Sequence, residues 1–295
     1  MPELPEAETI VRGLRPAVVG RRIRRIEVLH EDILRERKSA FADKVRGALI
    51  VGVERRAKNV LLRLEGARVV AVSLGMTGRL LPLPSVAAVA DRPGHPAVRF
   101  RFESGGSLVF DDTRRFGKVE CLSDGEWAER SDRMGPEPLA RAYTAACLHA
   151  GLVRSRAPVR SWLLDQRRIA GVGNIYANEA LYLAGVHPRR PARGLTADEA
   201  ALLHRSIRRV LRDAIRAGGT TIRDYRTAEG GRGEYGRRLL VYGRMGEPCA
   251  RCRDVVRRLV FGNRSAFYCP TCQPAAEGAR APASGPLGRP RAARG

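Results

Sequence analysis

The sequence contains no long hydrophobic run and very little lysine. No stretch of its 295 residues approaches the roughly 20 consecutive apolar residues that a membrane-spanning helix needs, and none resembles a signal peptide. We therefore expect a soluble, cytoplasmic protein, whose 44% apolar residues can form two modest cores. Only four residues are lysine, at positions Lys38, Lys44, Lys58 and Lys118.

Acidic residues are also scarce relative to basic ones, with 31 Asp and Glu against 54 Lys and Arg and a formal net charge of +23. Because the excess is almost entirely arginine, a compositional drift toward Arg, Ala and Gly accounts for part of it. The number of Asp and Glu residues has not risen in proportion to the number of arginines, and the net charge exceeds what solubility alone requires. The composition therefore predicts a polyanionic partner, with nucleic acid favoured over an anionic membrane surface.

The N-terminal residues could form a reactive amine. Removal of Met1 would leave Pro2 as a secondary amine with a pKa near about 7.7 to 8.0, so a useful fraction would be neutral at pH 7. Pro5 suits the first turn of a helix, whose dipole would favour the neutral amine. Glu3 could transfer protons and Glu6 could accept bonds from helix amides. An ordinary capped N-terminal helix would explain the same spacing.

Four of the six cysteines form two C-x2-C pairs separated by sixteen residues. This spacing predicts a tetrahedral zinc site, and a reducing cytoplasm disfavours disulfides. The predicted zinc ligands are Cys249, Cys252, Cys269 and Cys272. The remaining two, Cys121 and Cys147, are expected to be small core residues.

Between the cysteine pairs, two short apolar stretches flank a Gly262-Asn263 turn and predict a β-hairpin. Arg264 stands just after this turn. Such a cation could hold a phosphate, or it could be a solvated turn residue.

The rest of the chain changes character twice. Short β-branched runs up to about residue 130, separated by turn residues, predict an all-β sandwich or barrel. From about 140 to 217 the apolar residues repeat at helical intervals, and Thr196 with Glu199 predicts a capping box. The tail beyond Gln273 is rich in Pro, Ala, Gly and Arg, which predicts a disordered basic extension.

Two glycine-containing features suggest nucleic-acid contacts. Gly171-Val-Gly173-Asn174 predicts a tight turn that leads into a helix N-terminus, which is either a phosphate site or a simple capped turn. Met76, Arg114 and Phe116 lie on glycine-flanked loops. Large side chains on such loops could wedge into a base stack, although Met76 and Phe116 could equally fill the core.

The motifs along the chain, taken together, are Met1-Pro-Glu-Leu-Pro-Glu-Ala-Glu-Thr9, Arg56-Ala-Lys58, Leu74-Gly-Met76, Arg114-Arg-Phe-Gly117, Gly135-Pro-Glu-Pro138, Gly171-Val-Gly-Asn-Ile-Tyr-Ala177, Gly218-Gly-Thr-Thr221, Val241-Tyr-Gly-Arg244, Gly246-Glu-Pro-Cys249 and the zinc hairpin. In order and interval they resemble bacterial formamidopyrimidine-DNA glycosylase, over residues 1 to about 273. Leu4 after Pro2-Glu3 resembles the formamidopyrimidine-DNA glycosylase branch, because endonuclease VIII-like relatives typically have Gly at this position.

The resemblance implies an α+β multidomain fold. Its parts would be a catalytic β-sandwich at 1–130, a helix-two-turns-helix domain with a lesion loop at 131–238, a four-cysteine zinc finger at 239–273 and a disordered basic tail at 274–295. It also implies a monomeric glycosylase and AP lyase with one structural Zn²⁺. The substrate would be double-stranded DNA containing 8-oxoguanine or formamidopyrimidines, with association to the bacterial nucleoid through that DNA.

The resemblance further implies a role for individual residues. Pro2 would be the nucleophile, Glu3 the acid, and Glu6 a structural support beside them. Lys58, Asn174 and Arg264 would bind phosphate. Lys58 and Arg264 would also be catalytic residues. The remaining DNA contacts would come from Met76, Arg114, Arg115, Phe116 and Tyr242, with Arg114 on the estranged cytosine and Arg115 on phosphate or the carbonyl framework. The loop from Thr220 to about Gly236 would be a mobile cap.

Three positions depart from the family pattern. Ser73 and Ala97 stand at or near positions where histidines are usual, and Thr113 replaces a proline. Because the histidines are associated with phosphate contacts, these departures predict a weaker clamp. Two alternatives also fit the sequence: an endonuclease VIII-like enzyme for oxidised pyrimidines, and a non-catalytic binder of damaged DNA.

Overall fold

A computed structural model describes residues 2–84, 93–221 and 231–275. The strands are β1 Ile23–Val28, β2 Ile50–Arg56, β3 Asn59–Leu64, β4 Arg68–Ser73, β5 Arg79–Leu83, β6 Pro96–Phe102, β7 Ser107–Asp111, β8 Lys118–Ser123, β9 Arg257–Phe261 and β10 Arg264–Tyr268. The α-helices are α1 Leu4–Val18, α2 Lys38–Val45, α3 Asp124–Asp132, α4 Ala145–Leu152, α5 Val159–Leu164, α6 Asn174–Leu183 and α7 Ala197–Arg216. None of these helices is long and apolar enough to cross a membrane.

The N-terminal part is the predicted β-sandwich. Its two antiparallel sheets have the strand orders β1-β6-β7-β5 and β2-β3-β4-β8. Inward-facing Val, Leu, Ile and Phe side chains of both sheets form one core, which the apolar face of α1 also joins through Ile10, Val11 and Leu14. The β-branched runs became strands because alternate side chains can bury on one face of each sheet.

The central part is the predicted helical domain, built around α7. The buried face of α7 includes Leu203, Ile207, Val210 and Leu211, and it packs against α1, α4 and α6. Thr196 accepts from the amide of Glu199, and the Glu199 carboxylate accepts from the amide of Thr196, so the predicted capping box is confirmed. Leu4 of α1 joins this core, which ties the N-terminus to the helical domain.

The C-terminal described residues form the predicted hairpin. β9 and β10 pair antiparallel, with Phe261 opposite Arg264 across the two-residue turn. A small core that includes Tyr182, Val241 and Val256 joins the hairpin to the end of α6.

The structure corrects two expectations. Cys147 is exposed at the start of α4, whereas Cys121 is buried as predicted. The apolar context of Cys147 was misleading because Leu148 and Leu152 form the buried face of that short helix. The N-terminal part is also not purely β, since it contains α2 and the start of α3 in addition to the expected N-terminal helix. The positions of the domain boundaries stay a prediction, and the tail from 276 lies outside the described residues.

Candidate active site and DNA interface

Glu3 lies where the sandwich meets the helical domain. It is the N-cap of α1, and its carboxylate accepts hydrogen bonds from the amides of Gly173 at 2.7 Å and Ile175 at 2.8 Å. The amide of Leu4 donates to the carbonyl of Gly171 at 3.0 Å. The N-termini of α1 and α6 therefore face one another around a single buried carboxyl group, which is 2% exposed.

Both glycines of the predicted turn are required by this contact. A Cβ at Gly173 would overlap the Glu3 carboxyl group, so any other residue there would displace that group from its hydrogen bonds. Gly171 has φ +82° and its Cβ would lie 2.8 Å from the Leu4 side chain. The glycines serve the close approach of α1 as well as the turn itself.

Glu6 forms a second buried carboxyl group beside the first. It accepts from the amide of Glu3 at 2.7 Å, from the amide of Thr220 at 2.7 Å and from the hydroxyl of Tyr176. Glu6 therefore links the first turn of α1 to Tyr176 and to the chain at Thr220. Pro2 is buried beside these two carboxyl groups. We call the group formed by Pro2, Glu3, Glu6, Gly173 and Ile175 the Glu3 junction.

The environment of Glu3 favours its protonated form. The pKa of Glu3 is raised to about 7, chiefly by burial and also by the charge of Glu6, against the lowering effect of the Lys58 cation and the two amide hydrogen bonds. A carboxyl group with this pKa exchanges protons near neutrality, which is the property of a general acid.

Lys58 reaches the junction from the turn between β2 and β3. Its ammonium lies within electrostatic range of Glu3 and Arg264, and burial lowers its pKa although Glu3 opposes that change. The turn is held rigidly, because the amide of Ala57, at φ +55°, donates to Glu137 at 2.7 Å. Arg56 additionally donates to the carbonyls of Met134 and Gly135.

Asn174, the first residue of α6, joins the helical domain to the zinc hairpin. Its side-chain amide donates to the carbonyl of Ser265 at 3.1 Å, next to Arg264. The Asn174 oxygen accepts from Arg160, whose same nitrogen also donates to Ser265 at 2.9 Å. The structure thus places Asn174 and the base of Arg264 side by side.

Arg160 is a site residue that the sequence did not reveal. It is 1% exposed, its guanidinium stacks on Phe261 at 4.9 Å, and its Nε has no hydrogen-bond partner among the described residues. Burial, with the charge of Arg264 in support, lowers the pKa of Arg160 to about 10. Because the charge of this buried arginine is poorly compensated by its neighbours, an incoming anion would be stabilised beside it. Nothing in a sequence with 54 basic residues separates it from the others.

Tyr242 belongs to the same group. Its ring packs edge-on against Phe267 at 5.2 Å, and its amide donates to the buried Glu179 at 2.9 Å. Burial raises its pKa, as does the nearby charge of Glu3, while Asn174 lowers it. Arg264 itself is exposed at the tip of the hairpin, where its side chain is available to a ligand.

Met76, Arg114 and Phe116 lie on two adjacent loops of the sandwich. Met76 is 41% exposed and Phe116 is 55% exposed, so neither fills the core. The guanidinium of Arg114 stacks on the ring of Phe116 at 4.6 Å. Both side chains are therefore accessible to a ligand at this edge of the sandwich.

Asp112 fastens these two loops together, and the sequence did not single it out. It is 1% exposed and accepts from the hydroxyl of Thr77 and from the amides of Arg114 and Gly117, the last at 2.8 Å. Its position within the Arg114 motif was the only available signal.

Arg115 contacts different neighbours from Arg114, although the two are adjacent on one loop. An extended loop would alternate its side chains, whereas Arg115 is in the left-handed region at φ +54°. Its side chain contacts His30 at 3.3 Å and Asp32 at 3.6 Å. The turn, rather than an extended strand, separates the two arginines.

The three departures occupy different environments. Ala97 is fully buried in the sandwich core, so a phosphate contact through this side chain is excluded. Ser73 is half-buried at the end of β4, and Thr113 is exposed on the Arg114 loop. Their predicted weakening of the phosphate clamp stays a prediction.

The four predicted zinc ligands converge. Their sulfur atoms all lie within 4.8 Å of one another, with Cys249 and Cys272 at 3.8 Å and Cys252 and Cys269 at 3.4 Å. A tetrahedron with Zn–S bonds of about 2.3 Å has edges of about 3.8 Å. The donor set and its dimensions therefore fit one structural Zn²⁺.

The predicted cap over the lesion falls largely on 222–230, which lie outside the described residues. Its two ends are joined: the amide of Thr221 donates to Gly233 at 3.3 Å, and the amide of Glu234 donates to Ala217 at 2.9 Å. With Thr220 bonded to Glu6, the base of this loop is connected directly to the Glu3 junction.

Three family models match successive parts of the chain. They are the formamidopyrimidine-DNA glycosylase N-terminal domain at 1–119, the formamidopyrimidine-DNA glycosylase H2TH domain at 134–226, and the zinc finger found in FPG and IleRS at 246–275.

Curated relatives and solved structures agree with these models. Formamidopyrimidine-DNA glycosylases of Chloroflexus aggregans and Thermus thermophilus are each 44% identical, over 92% of this chain and 98% of theirs. The crystal structure of the MutM (Fpg) protein from Thermus thermophilus has a TM-score of 0.82 at 40% identity, covering 92% of this chain and 98% of that one. Lactococcus lactis Fpg in complex with abasic-site DNA has a TM-score of 0.85 at 30% identity, covering 92% and 100%.

Proposed function

The chain belongs to the formamidopyrimidine-DNA glycosylase family, and from that premise we propose which of its residues carry out the reaction. It is a base-excision repair enzyme, a glycosylase and AP lyase that acts on oxidised purines in double-stranded DNA, and it has one structural zinc site. The observation that carries the residue assignments is the Glu3 junction, where a carboxyl group of pKa about 7 lies beside Pro2 and within electrostatic range of Lys58.

Pro2 is the nucleophile in this proposal. Its nitrogen becomes an amine only after Met1 is removed. The amine forms a bond to C1′ of the damaged nucleotide as the bond from C1′ to the base breaks; the amine loses its proton and the departing base gains one. Opening of the sugar then gives an iminium, which is necessarily cationic because the amine is secondary. The iminium withdraws electrons from C2′, so loss of a C2′ proton expels the 3′ phosphate in a β elimination, and a second proton loss expels the 5′ phosphate in a δ elimination.

Glu3 supplies the proton that opens the sugar ring. The protonated carboxyl group would donate to the ring oxygen, and the resulting carboxylate could then accept the C2′ proton. Burial supports the first role, because it keeps a fraction of Glu3 protonated at neutral pH. The nearby cation of Lys58 supports the second, because it stabilises the carboxylate.

Lys58, Asn174 and Arg264 hold the phosphates around the everted nucleotide. Each lies on a different part of the fold, and all three converge on the Glu3 junction. Arg160 acts as a positioning residue, because it bonds both Asn174 and the chain next to Arg264. Tyr242 completes this face of the site.

Met76, Arg114 and Phe116 fill the space that the everted nucleotide leaves. Eversion costs a few kcal/mol, which inserted apolar groups can offset. In this proposal Arg114 hydrogen-bonds the unpaired cytosine and Arg115 contacts the backbone. Location in the bacterial cytoplasm, associated with the nucleoid, is likewise proposed from the DNA substrate.

The test of the proposed chemistry is reduction of the Schiff base with borohydride on a panel of DNA lesions. We expect a covalent protein–DNA adduct with 8-oxoguanine opposite cytosine and with formamidopyrimidines, and weaker adducts with oxidised pyrimidines. A non-catalytic binder would give no adduct with any lesion. Preference for oxidised pyrimidines would instead support the endonuclease VIII-like alternative.

The single-turnover rate should fall as pH rises above about 7, because the raised pKa of Glu3 keeps it protonated only below that value. Lys58→Gln removes a cation that lowers the pKa of Glu3. The falling limb, meaning the part of the pH–rate profile where the rate declines, should therefore move to higher pH, while the rate itself drops. Lys44→Gln, which removes a distant lysine paired with Glu36, should leave the limb in place. A limb that moves to lower pH in Lys58→Gln would contradict the assignment.

Arg114 and Lys58 should fail in different ways. Arg114→Ala should reduce the discrimination between cytosine and adenine opposite the lesion, because a bidentate base contact contributes about 1 to 3 kcal/mol of selectivity. Lys58→Ala should weaken binding to all opposite bases equally and lower the salt slope by about one contact. Binding assays over a salt series, with Arg115→Ala as the comparison, separate the two roles. If Arg115→Ala alone changed opposite-base preference, the two arginines would have to exchange roles.

A further inference from the structure

A second cationic cleft lies on the helical domain. Its volume is about 600 Å³, which is within the usual size of small-molecule sites, and it forms between the residues leading into α4 and the middle of α7. The described residues that line it include three arginines and a histidine and no carboxylate: they are Leu139, Arg141, Tyr143, Thr144, Ala145, His204, Arg208 and Arg212.

The positive charge of this cleft is not neutralised by its surroundings. Within the described ranges, Arg141, Arg208 and Arg212 form no ion pair with a carboxylate. The nearest acid along α7, Asp213, is occupied by Arg209 at 3.8 Å and by Arg216. Burial lowers the pKa of His204, as do the charges of Arg208, Arg205 and Arg212, while its hydrogen bond to the carbonyl of Tyr143 opposes them.

The cleft is also a built structure and not merely a run of exposed arginines. One nitrogen of Arg208 donates to the carbonyls of Pro138 at 2.8 Å and Ala140 at 2.9 Å, which holds the segment that carries Arg141. The ring of His204 hydrogen-bonds the carbonyl of Tyr143 at 2.8 Å. Thr144 caps α4, whose N-terminus opens onto the cleft and adds its positive dipole end.

We propose that this cleft is a phosphate-binding site, separate from the site that takes the lesion. Arginine forks match phosphate oxygens, and an arginine-lined depression at a helix N-terminus favours an anion of concentrated charge. Its size admits two linked phosphate groups. None of its lining residues belongs to the Glu3 junction or to the Met76 and Arg114 loops. The phosphate is either a free diphosphate or part of the backbone of a second DNA segment.

The test is titration of the full-length protein with pyrophosphate, followed by the ring resonances of His204 in histidine-labelled protein. We expect saturable shifts of His204. The double variant Arg141→Gln/Arg212→Gln should bind pyrophosphate at least about tenfold more weakly, since charged hydrogen bonds are removed. The control Arg24→Gln/Arg46→Gln removes the same charge from two exposed arginines of the sandwich, outside the cleft, and it should bind as the wild type does.

Equal losses in the two double variants, or shifts that never saturate, would overturn the proposal. If the Arg141→Gln/Arg212→Gln variant has a lowered melting temperature, Arg141→Gln alone, a change at an exposed residue, is compared with the control in its place. A second undamaged duplex, added after an abasic-analogue duplex has occupied the lesion site, identifies the source. Displacement of pyrophosphate by that duplex assigns the cleft to DNA backbone, and retention assigns it to a free diphosphate.

Discussion

Protein that carries an uncleaved extension ahead of Pro2 should give no borohydride-trapped adduct, because the Pro2 nitrogen is then an amide without a nucleophilic lone pair. Its affinity for a duplex with an abasic analogue should remain largely unchanged, since Lys58, Asn174 and Arg264 are untouched. Pro2→Gly, which leaves a primary amine after Met1 removal, should trap more weakly than the wild type. Gel analysis of the adduct and mass spectrometry of the N-terminus give the two readouts.

A cleavable extension provides the matched control for this experiment. Proteolytic exposure of Pro2 in the same preparation should restore trapping, which excludes misfolding as the cause of the loss. Full trapping by protein that mass spectrometry shows still carries Met1 would refute Pro2 as the nucleophile. In that case a lysine would have to form the Schiff base, and Lys58 would be the first to substitute.

Removal of zinc should unfold the hairpin and cost DNA affinity. Structural zinc contributes on the order of 10 kcal/mol or more in finger peptides, and the core of the finger consists of few other residues. Chelation or Cys249→Ser should therefore release Arg264 and weaken DNA binding by about tenfold or more, as expected for the loss of a charged hydrogen bond. Hydrogen exchange should localise the unfolding to 246–275.

The contacts between α6 and the segment before the zinc finger indicate where that unfolding should stop. Glu179 accepts from the amides of Leu240, Val241 and Tyr242, and these bonds need no metal. Exchange protection should therefore persist in the Glu3 junction while it disappears from β9 and β10. Cys147→Ser, an exposed cysteine outside the cluster, serves as the control and should change neither property. Freshly purified, fully active protein without zinc would contradict this prediction.

The zinc site and the two kinds of domain could be predicted from local signals in the sequence, whereas the roles of the other site residues came from the resemblance to the family. The spacing of the four cysteines determines a tetrahedral sulfur set, and the glycines around Asn174 determine a turn into a helix N-terminus. The β-branched runs and the helical repeats likewise predicted two kinds of domain. Strands β5 and β8 carry weak local signals, because Pro82 and the charged residues of β8 weaken the pattern that marks a strand.

The sequence determined which residue types are available at the N-terminus, on the loops and in the zinc hairpin, and only the tertiary structure decided what several of them do. Glu3 has a pKa of about 7 because α6, some 170 residues away, buries it. Arg160 becomes a positioning residue, and Arg141 and Arg212 line one cleft, only through contacts between segments distant along the chain. Burial and proximity set these electrostatic properties, and neither is a local property of the sequence.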